Sequence, residues 1–527
     1  MQPQSTPTGP TTLYRGGPVY STSHPDATAL LVAGDTVAWL GPAAEAPTAD
    51  RTVELDGALV TPAFVDAHVH LTDTGLARTG LDLSGTRSAG QLLDAVAAAA
   101  AALPAGAVLL GHGWDESTWD DPTPPDPIAL DRAAGGRLVY AAQASLHSAL
   151  ASSALLPAAA GHPGYDPSGW VRQEAHHAVR SVALGAVTMA QRRAAQQAAL
   201  TRAAAQGIAA VHECGGPSIS SEADFTAALT RAAEGDCPEV YGLWGELGAA
   251  EKAKQLGALA AGGDLFADGA LGARTARLRS DYLDGEGGCG HAYLNPEQVR
   301  DHLLACHRAG IAGGFHAIGD AALATVLSGF AGAAQRLGTA RLRSARHRIE
   351  HVELVDRAMI AQLVGFGVIA SVQPAFDRLW GGEHQLYAQR LGPARALAAN
   401  PFGALHAVGV PLTFGSDSPV TPLDPWGTVR AAIWHHNPPQ RLSLKAAFAA
   451  HTRGGWRAVG QERHGVLSPG APATFAVWHT PAGRAGALPK LLADDLAQRG
   501  PQDPTPLPRC RRTVLRGEPI FDAEEEP

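Results

Sequence analysis

Lysine is nearly absent from this chain. Its 527 residues include four, Lys252, Lys254, Lys445 and Lys490, so arginine supplies almost all the positive charge. Cysteine is sparse as well: Cys214, Cys237, Cys289, Cys306 and Cys510 are odd in number, scattered, and form no CxxC. That argues against a disulfide framework or a thiolate zinc site and predicts a reducing, cytoplasmic setting. No basic block is long enough for a nucleic-acid footprint, and the formal charge of −9 is modest for this length. The opening MQPQSTPTGPTTLYRGG lacks the basic and apolar regions of a signal peptide, so none is expected. The longest apolar stretch, AVAAAAAALPAGAVLLG (95 to 111), is alanine-rich and broken by Pro104. It predicts a helix, a turn and a strand rather than a membrane span.

What is present falls into two rhythms. The first 57 residues read as short strands (LYRGGPVY, ATALLVAG, DTVAWLG, RTVELDG) punctuated by Gly, Pro and Asp. The other end repeats that style with ATFAVWHT (473 to 480) and RTVLRGEPIF (512 to 521). Residues 1–57 and 462–527 are therefore expected to build one small composite β-sandwich. Between them, from 58 to 461, apolar runs ending in polar residues alternate with alanine-rich helical stretches. Eight runs can be picked out: 63 to 70, 207 to 213, 239 to 246, 263 to 269, 313 to 320, 347 to 353, 367 to 374 and 411 to 417. Alternating strand and helix units predict a parallel α/β fold, and eight of them favour a closed (β/α)8 barrel of the TIM type. The gap after the first run exceeds one connection and holds its own strand-like segments, VLLGHGW and RLVYAAQA, which predicts an inserted subdomain over about 72–200.

Functional residues of such a barrel gather at the C-terminal ends of the strands. There the sequence places His68 and His70 on strand 1, His316 on strand 5, His351 on strand 6 and Asp417 after strand 8. His68 and His70 share one strand face because side chains alternate. Taken singly, each residue has a plainer explanation: an isolated HxH is a weak motif, and Asp417 in GSDSP is a natural turn or cap. As a set spread over four strand ends, they suit a divalent cation such as zinc.

At this point the chain resembles the amidohydrolase superfamily, and within it the YtcJ-like branch, also called the amidohydrolase 3 family. FVDAHVHL (64 to 71) is similar to that family's strand-1 signature. FADGALGARTARL (266 to 278), FHAIGDAA (315 to 322), HRIEHVELV (347 to 355) and FGSDSPV (414 to 420) resemble its later blocks, and GHGWDESTW and SLHSAL its insertion. The resemblance implies a sandwich split around a barrel, and one or two divalent ions, zinc first. By that resemblance His68, His70 and Asp417 hold the more buried ion. His316 and His351 hold a second, or bind a single ion and orient its water. His351 and Asp417 would be the catalytic residues of a metal-assisted hydrolysis, with Asp417 carrying a proton from water to the departing nitrogen.

The chain departs from its relatives on strand 4. A carboxylated lysine commonly bridges two ions there, whereas GGDLFADG puts Asp264 at that place, and Lys252 and Lys254 lie more than a turn upstream. Three outcomes stay open: Asp264 bridges two ions directly, Asp268 contributes instead, or one ion binds. Thr474 likewise replaces an acid usual in the family's last sandwich strands, without consequence for the site.

Trp114 and His147 in the insertion and Arg274 after strand 4 are candidate substrate contacts. Core packing is the rival role for the first two and a loop salt bridge for Arg274. His212 and Glu213 end strand 2 as candidate supporting groups. The expected activity is hydrolysis of a C–N bond, amide or N-acyl in type, in a small molecule. A deaminase of the same superfamily, a metal-dependent isomerase or hydratase, and a non-catalytic metal-binding regulatory protein that keeps the barrel are the alternatives. The expected partner is a small-molecule substrate, with no nucleic acid or membrane; a homodimer is compatible with the sequence.

Overall fold

Eight parallel strands form one continuous sheet in the computed structural model, which describes residues 9–524 apart from 144–147, 285–287, 481–485, 496–497 and 501–502. In chain order they are β1 (Phe64–Val69), β2 (Ile208–Gly215), β3 (Glu239–Trp244), β4 (Ala260–Ala261), β5 (Ala312–Ala317), β6 (Arg348–His351), β7 (Ile369–Val372) and β8 (Leu412–Phe414), each beside the next. A parallel bridge between Val69 and Ser418 brings the ends of β1 and β8 together. The Asp417 amide donates to the His68 carbonyl (2.8 Å) and the His70 amide to the Ser418 carbonyl (3.0 Å). The α/β barrel expected from the alternating runs is thus present. β1 and β2 are buried along their whole length, which is why they read as near-continuous apolar runs.

The helices behave as their sequences demand. Pro296–Ala309 starts at a capping box between Asn295 and Gln298 and ends at Gly310 in the left-handed region. Asp320–Leu337 follows β5 and buries Leu323, Val326, Leu327 and Phe330, spaced for one helix face. Strand 4 differs from the reading of 263 to 269. The regular ladder breaks after Ala261, where Gly262 and Gly263, the latter at φ 76°, turn the chain, and pairing with β5 resumes as a single parallel bridge between Phe266 and His316.

Both ends of the chain contribute to two four-stranded sheets. Thr11–Arg15, Ala29–Ala33, Thr36–Gly41 and Arg51–Glu54 make one; Leu59–Pro62, Phe475–His479, Arg509–Leu515 and Glu518–Asp522 make the other. Tyr14, Val32, Val60, Phe475, Val477 and Val514 share the core between them. Leu59–Pro62 pairs with Phe475–Trp478, so the N-terminal contribution runs past the boundary expected at residue 57. Trp478 joins these sheets to the barrel. It packs on Phe64 and Trp426 and donates from Nε1 to Thr61 Oγ1 at 2.9 Å. Position 207 must be glycine there: φ is +75°, and a Cβ would fall 2.2 Å from the Trp478 ring.

Leu71–Ala199 forms a separate compact unit. Its five-stranded sheet runs Trp170–Arg172, Ser148–Ala151, Val139–Gln143, Leu109–Trp114, Leu81–Asp82. The helix Ala89–Ala102, capped by Ser88, covers that sheet through Leu92 and Val96. Among the described residues no helix is long and apolar enough to cross a membrane.

His451 supplies a pH test of the barrel core. It is buried, packs on Phe64 and Phe414, and its Nδ1–H donates to the Val65 carbonyl at 2.9 Å. Burial lowers its pKa to about 4. The unfolded chain therefore binds this proton first. The contribution is complete above the ordinary value near 6.5 and is lost as pH falls through about 4, amounting to roughly 3 kcal/mol at about 1.4 per pKa unit. Urea unfolding of metal-free protein from pH 7 to pH 4 should show this loss. His451→Asn, which keeps a donor near Nδ1 but cannot titrate, should flatten the pH dependence while lowering stability at pH 7.

Candidate metal centre

Four imidazoles and two carboxylates meet at the barrel mouth. Each imidazole is anchored through one nitrogen and leaves the other turned inward. His68 Nδ1–H donates to Glu350 Oε2 (2.9 Å), His70 Nδ1–H to the Cys214 carbonyl (2.9 Å), and His351 Nδ1–H to Gln373 Oε1 (2.8 Å). His316 is reversed: Nε2–H donates to the Gly269 carbonyl (3.2 Å) and Nδ1 faces the cluster. Such outer hydrogen bonds fix the tautomer and present a lone pair to whatever sits inside.

Asp264 stands between the two histidine pairs. Its Oδ2 lies 3.2 Å from His70 Nε2 and 3.5 Å from His68 Nε2; its Oδ1 lies 3.3 Å from His316 Nδ1 and 3.6 Å from His351 Nε2. Asp417 Oδ1 is 3.2 Å from His70 Nε2 and 3.4 Å from His68 Nε2. Among the described residues three groups could hold a cation: His68–His70–Asp264–Asp417 and Asp264–His316–His351, which share Asp264, and His68–Cys214–Glu350 behind them.

The short Asp264 side chain reaches because its backbone comes close. A Cβ on Gly245 of the β3 end would lie 2.7 Å from Asp264 C, and one on Gly262 would lie 2.4 Å from Gly314 Cα on β5. His351 and Asp417 both take left-handed backbone, φ 71° and 56°, and the β-branched Val352 follows at 50°. Such conformations cost about 1–3 kcal/mol each and persist where surrounding structure holds them. Here the Val352 amide donates to the carbonyls of Ala317 and Glu350.

The donor set fits a metal. Nε2 of His68 and of His351 are buried with no hydrogen-bond partner. Burial raises the Asp264 carboxyl pKa, but the His68 ring and the facing rings of His316 and His351 outweigh it and hold it well below the usual carboxylate range. Unpartnered imidazole nitrogens beside ionised carboxylates are a site for positive charge, and nitrogen with oxygen donors suits zinc and its neighbours.

Behind His68 runs a buried ionic chain. Arg348, 2% exposed, donates from Nε to Glu350 Oε1 (2.5 Å) and from Nη2 to Glu350 Oε2, the Ala67 carbonyl and Ser371 Oγ (2.7 Å each). Its Nη1 donates to His212 Nδ1 at 3.0 Å. Burial and the adjacent guanidinium hold His212 well below the ordinary histidine range, so it accepts as the neutral ring.

The other candidates fall elsewhere. Asp268 lies beyond β4 and is a loop staple: its carboxylate accepts from the amides of Arg277 (2.8 Å), Ile318 (3.0 Å) and Gly319 (2.8 Å). Trp114 is fully enclosed in the core of the Leu71–Ala199 unit against Trp119 and Trp170, and donates to the Ala141 carbonyl. It is a packing residue there. His147 lies outside the described residues. Arg274 is engaged with Asp284 at 3.1 Å on the protein surface. Glu350, Arg348 and Gln373 are the site residues that motif reasoning passed over. Their signal was two opposite charges in the four-residue strand RIEH and a glutamine ending the apolar run GVIASVQ.

The model of the amidohydrolase family matches residues 51–521. The chain belongs to that family. Putative amidohydrolase YtcJ of Bacillus subtilis (strain 168) is 26% identical over 468 residues, covering 81% of this chain and 84% of its own. Protein LONG AFTER FAR-RED 3 of Arabidopsis thaliana is 26% identical over 479 residues, 81% of this chain and 79% of its own. In fold, the chain is similar to a metal-dependent hydrolase of unassigned activity from Pyrococcus furiosus. The TM-score is 0.73 at 23% identity, over 89% of this chain and 98% of that one.

Substituting Glu350→Gln keeps the shape of the outer partner of His68 and removes its charge. Divalent-metal affinity, measured by chelator competition, should fall about 10–100-fold. Arg348→Met strands the Glu350 charge and should destabilise the metal-free protein by about 3–5 kcal/mol in urea unfolding.

Proposed function

We propose that the protein is a two-metal hydrolase of a C–N bond, amide or N-acyl in type, in a small-molecule substrate. The observation that carries this reading is the Asp264 carboxylate, which offers one oxygen to each histidine pair. His68, His70 and Asp417 would hold one ion, His316 and His351 the other, and Asp264 would bridge them without a carboxylated lysine. Zinc suits this donor set best. Membership of the amidohydrolase family supports the reaction class, and the Pyrococcus furiosus hydrolase supports metal dependence. Five free cysteines are compatible with a reducing cytoplasm.

Divalent ions bound here would lower the pKa of water to about 7 and polarise a carbonyl oxygen. The residues of the chain do the rest. Asp417 Oδ1 faces His68 and His70, which leaves Oδ2 to accept a proton from the attacking water and return it to the amide nitrogen. That return matters because an unprotonated amide nitrogen leaves poorly. Glu350 and Gln373 keep His68 and His351 in one orientation while charge shifts at the centre.

Elemental analysis of protein reconstituted with zinc should give two ions per chain, independent of added bicarbonate. Asp264→Ala should lower that to one or none. Asp417→Asn should keep at least one ion and lose about 10²–10⁴-fold in turnover of amide substrates. Protein that binds no divalent ion stoichiometrically would refute the proposal.

A further inference from the structure

Beside the cluster lies a cavity of about 370 Å³, a size that suits a small organic ligand. Its floor is formed by His70, Asp264, His316, His351 and Asp417. Its wall is apolar and largely aromatic: Phe266, Ile318, Phe376, Trp380, Leu386 and Tyr387. The wall is held by its own packing. Phe376 lies parallel to His351 with centroids 5.9 Å apart, Trp380 leans on Phe376 at 4.9 Å, and Tyr387 follows Trp380 at 6.3 Å.

Among the described residues no lysine or arginine lines this cavity. The nearby cations are committed elsewhere: Arg274 and Arg390 both bind Asp284, and Arg390 also donates to the Gly272 carbonyl. Outside the metal-binding groups, the wall among the described residues offers one carboxyl, Glu353, whose pKa burial raises to about 7. It is 1% exposed and bonded to Asn400 and Tyr387. Away from the metal-binding floor, a carboxylate on the substrate would find no lysine or arginine to receive it and would lie beside the buried Glu353 carboxyl. An unpaired charge in such a place is strongly disfavoured, whereas an aromatic ring gains burial and edge or face contacts.

We propose that the substrate group lodged here is uncharged and aromatic or bulky and apolar, so that the substrate is a neutral amide or N-acyl compound rather than an N-acyl amino acid or a peptide. The inference rests on the hydrolytic reading of the centre and adds the class of molecule it takes.

A matched pair tests it. N-acetylphenethylamine and N-acetylphenylalanine differ by one carboxylate. Calorimetric titration of the zinc-loaded Asp417→Asn chain should show the neutral compound binding at least tenfold more tightly. Equal binding, tighter binding of the carboxylate, or binding of neither overturns the proposal. Leu386→Arg, in the cavity wall, should shrink the preference at least tenfold or reverse it; an unchanged ratio would place the ligand elsewhere and overturn it too. Turnover by the wild-type chain separates the two levels. Faster hydrolysis of N-acetylphenylalanine overturns the substrate class and leaves the hydrolytic reading intact. Tight, selective binding of the neutral compound with no turnover of any amide supports the pocket assignment and defeats the hydrolytic reading.

Discussion

Arg348 carries its charge inside the barrel, and its guanidinium joins four strands at once: Ala67 on β1, His212 on β2, Glu350 on its own β6 and Ser371 on β7. Burying an ion costs several kcal/mol, and here each direction of the guanidinium fork finds an acceptor, which offsets that cost. A hydrophobic replacement of the whole pair would serve the core as well. What it would not do is leave a fixed anion behind His68. The Glu350 carboxylate, held ionised by Arg348 against the effect of burial, accepts the His68 Nδ1–H and turns Nε2 toward the cluster. The salt bridge thereby joins barrel packing to the chemistry of the mouth.

Asp264 shows how backbone placement substitutes for side-chain length. A carboxylated lysine spans the distance from a strand to the centre with its stem. This chain brings the peptide itself inward, over a β4 that ends after Ala261, along a path cleared of side chains at Gly245, Gly262 and Gly314. The carboxylate then sits among four imidazoles with one oxygen for each pair. In the proposed two-metal reading, this placement of Asp264 would make a carboxylated lysine unnecessary.

Much of this was legible in the sequence, for physical reasons. Parallel barrel strands are buried on both faces, so they stand out as apolar runs, and helices such as Pro296–Ala309 announce themselves by caps and periodicity. His68, His70, His316, His351 and Asp417 were visible because strand ends in a barrel converge, whatever their separation in the chain. Strand 4 was read three residues late at its start: the regular strand is Ala260–Ala261, the glycine pair interrupts it, and LFAD keeps one parallel bridge to β5 through Phe266. Asp268 caps three loop amides and reaches only the edge of the cluster, 3.9 Å from His316 Nε2. Trp114 could not be told from a ligand contact by type alone, since an indole suits a core and a pocket equally well. Glu350 and Arg348 were hidden by their neighbour: on β6 the histidine drew notice, and the ion pair two residues long looked like ordinary strand polarity.

The mouth of the barrel is divided by charge. On one side, Asp264 and Asp417 face imidazoles of which His68 and His351 leave Nε2 unpartnered, a donor set able to hold a positive ion. On the other side, aromatic rings exclude charge of either sign except for one buried carboxyl. Electrostatics in a low-dielectric wall of this kind act over longer range than in water. In the proposed reading, ions held here and Asp417 would act on a reacting group whose wall supplies no lysine or arginine among the described residues. Phe376, stacked on His351, belongs to both sides: it shapes the wall and packs against the ring whose Nε2 faces Asp264.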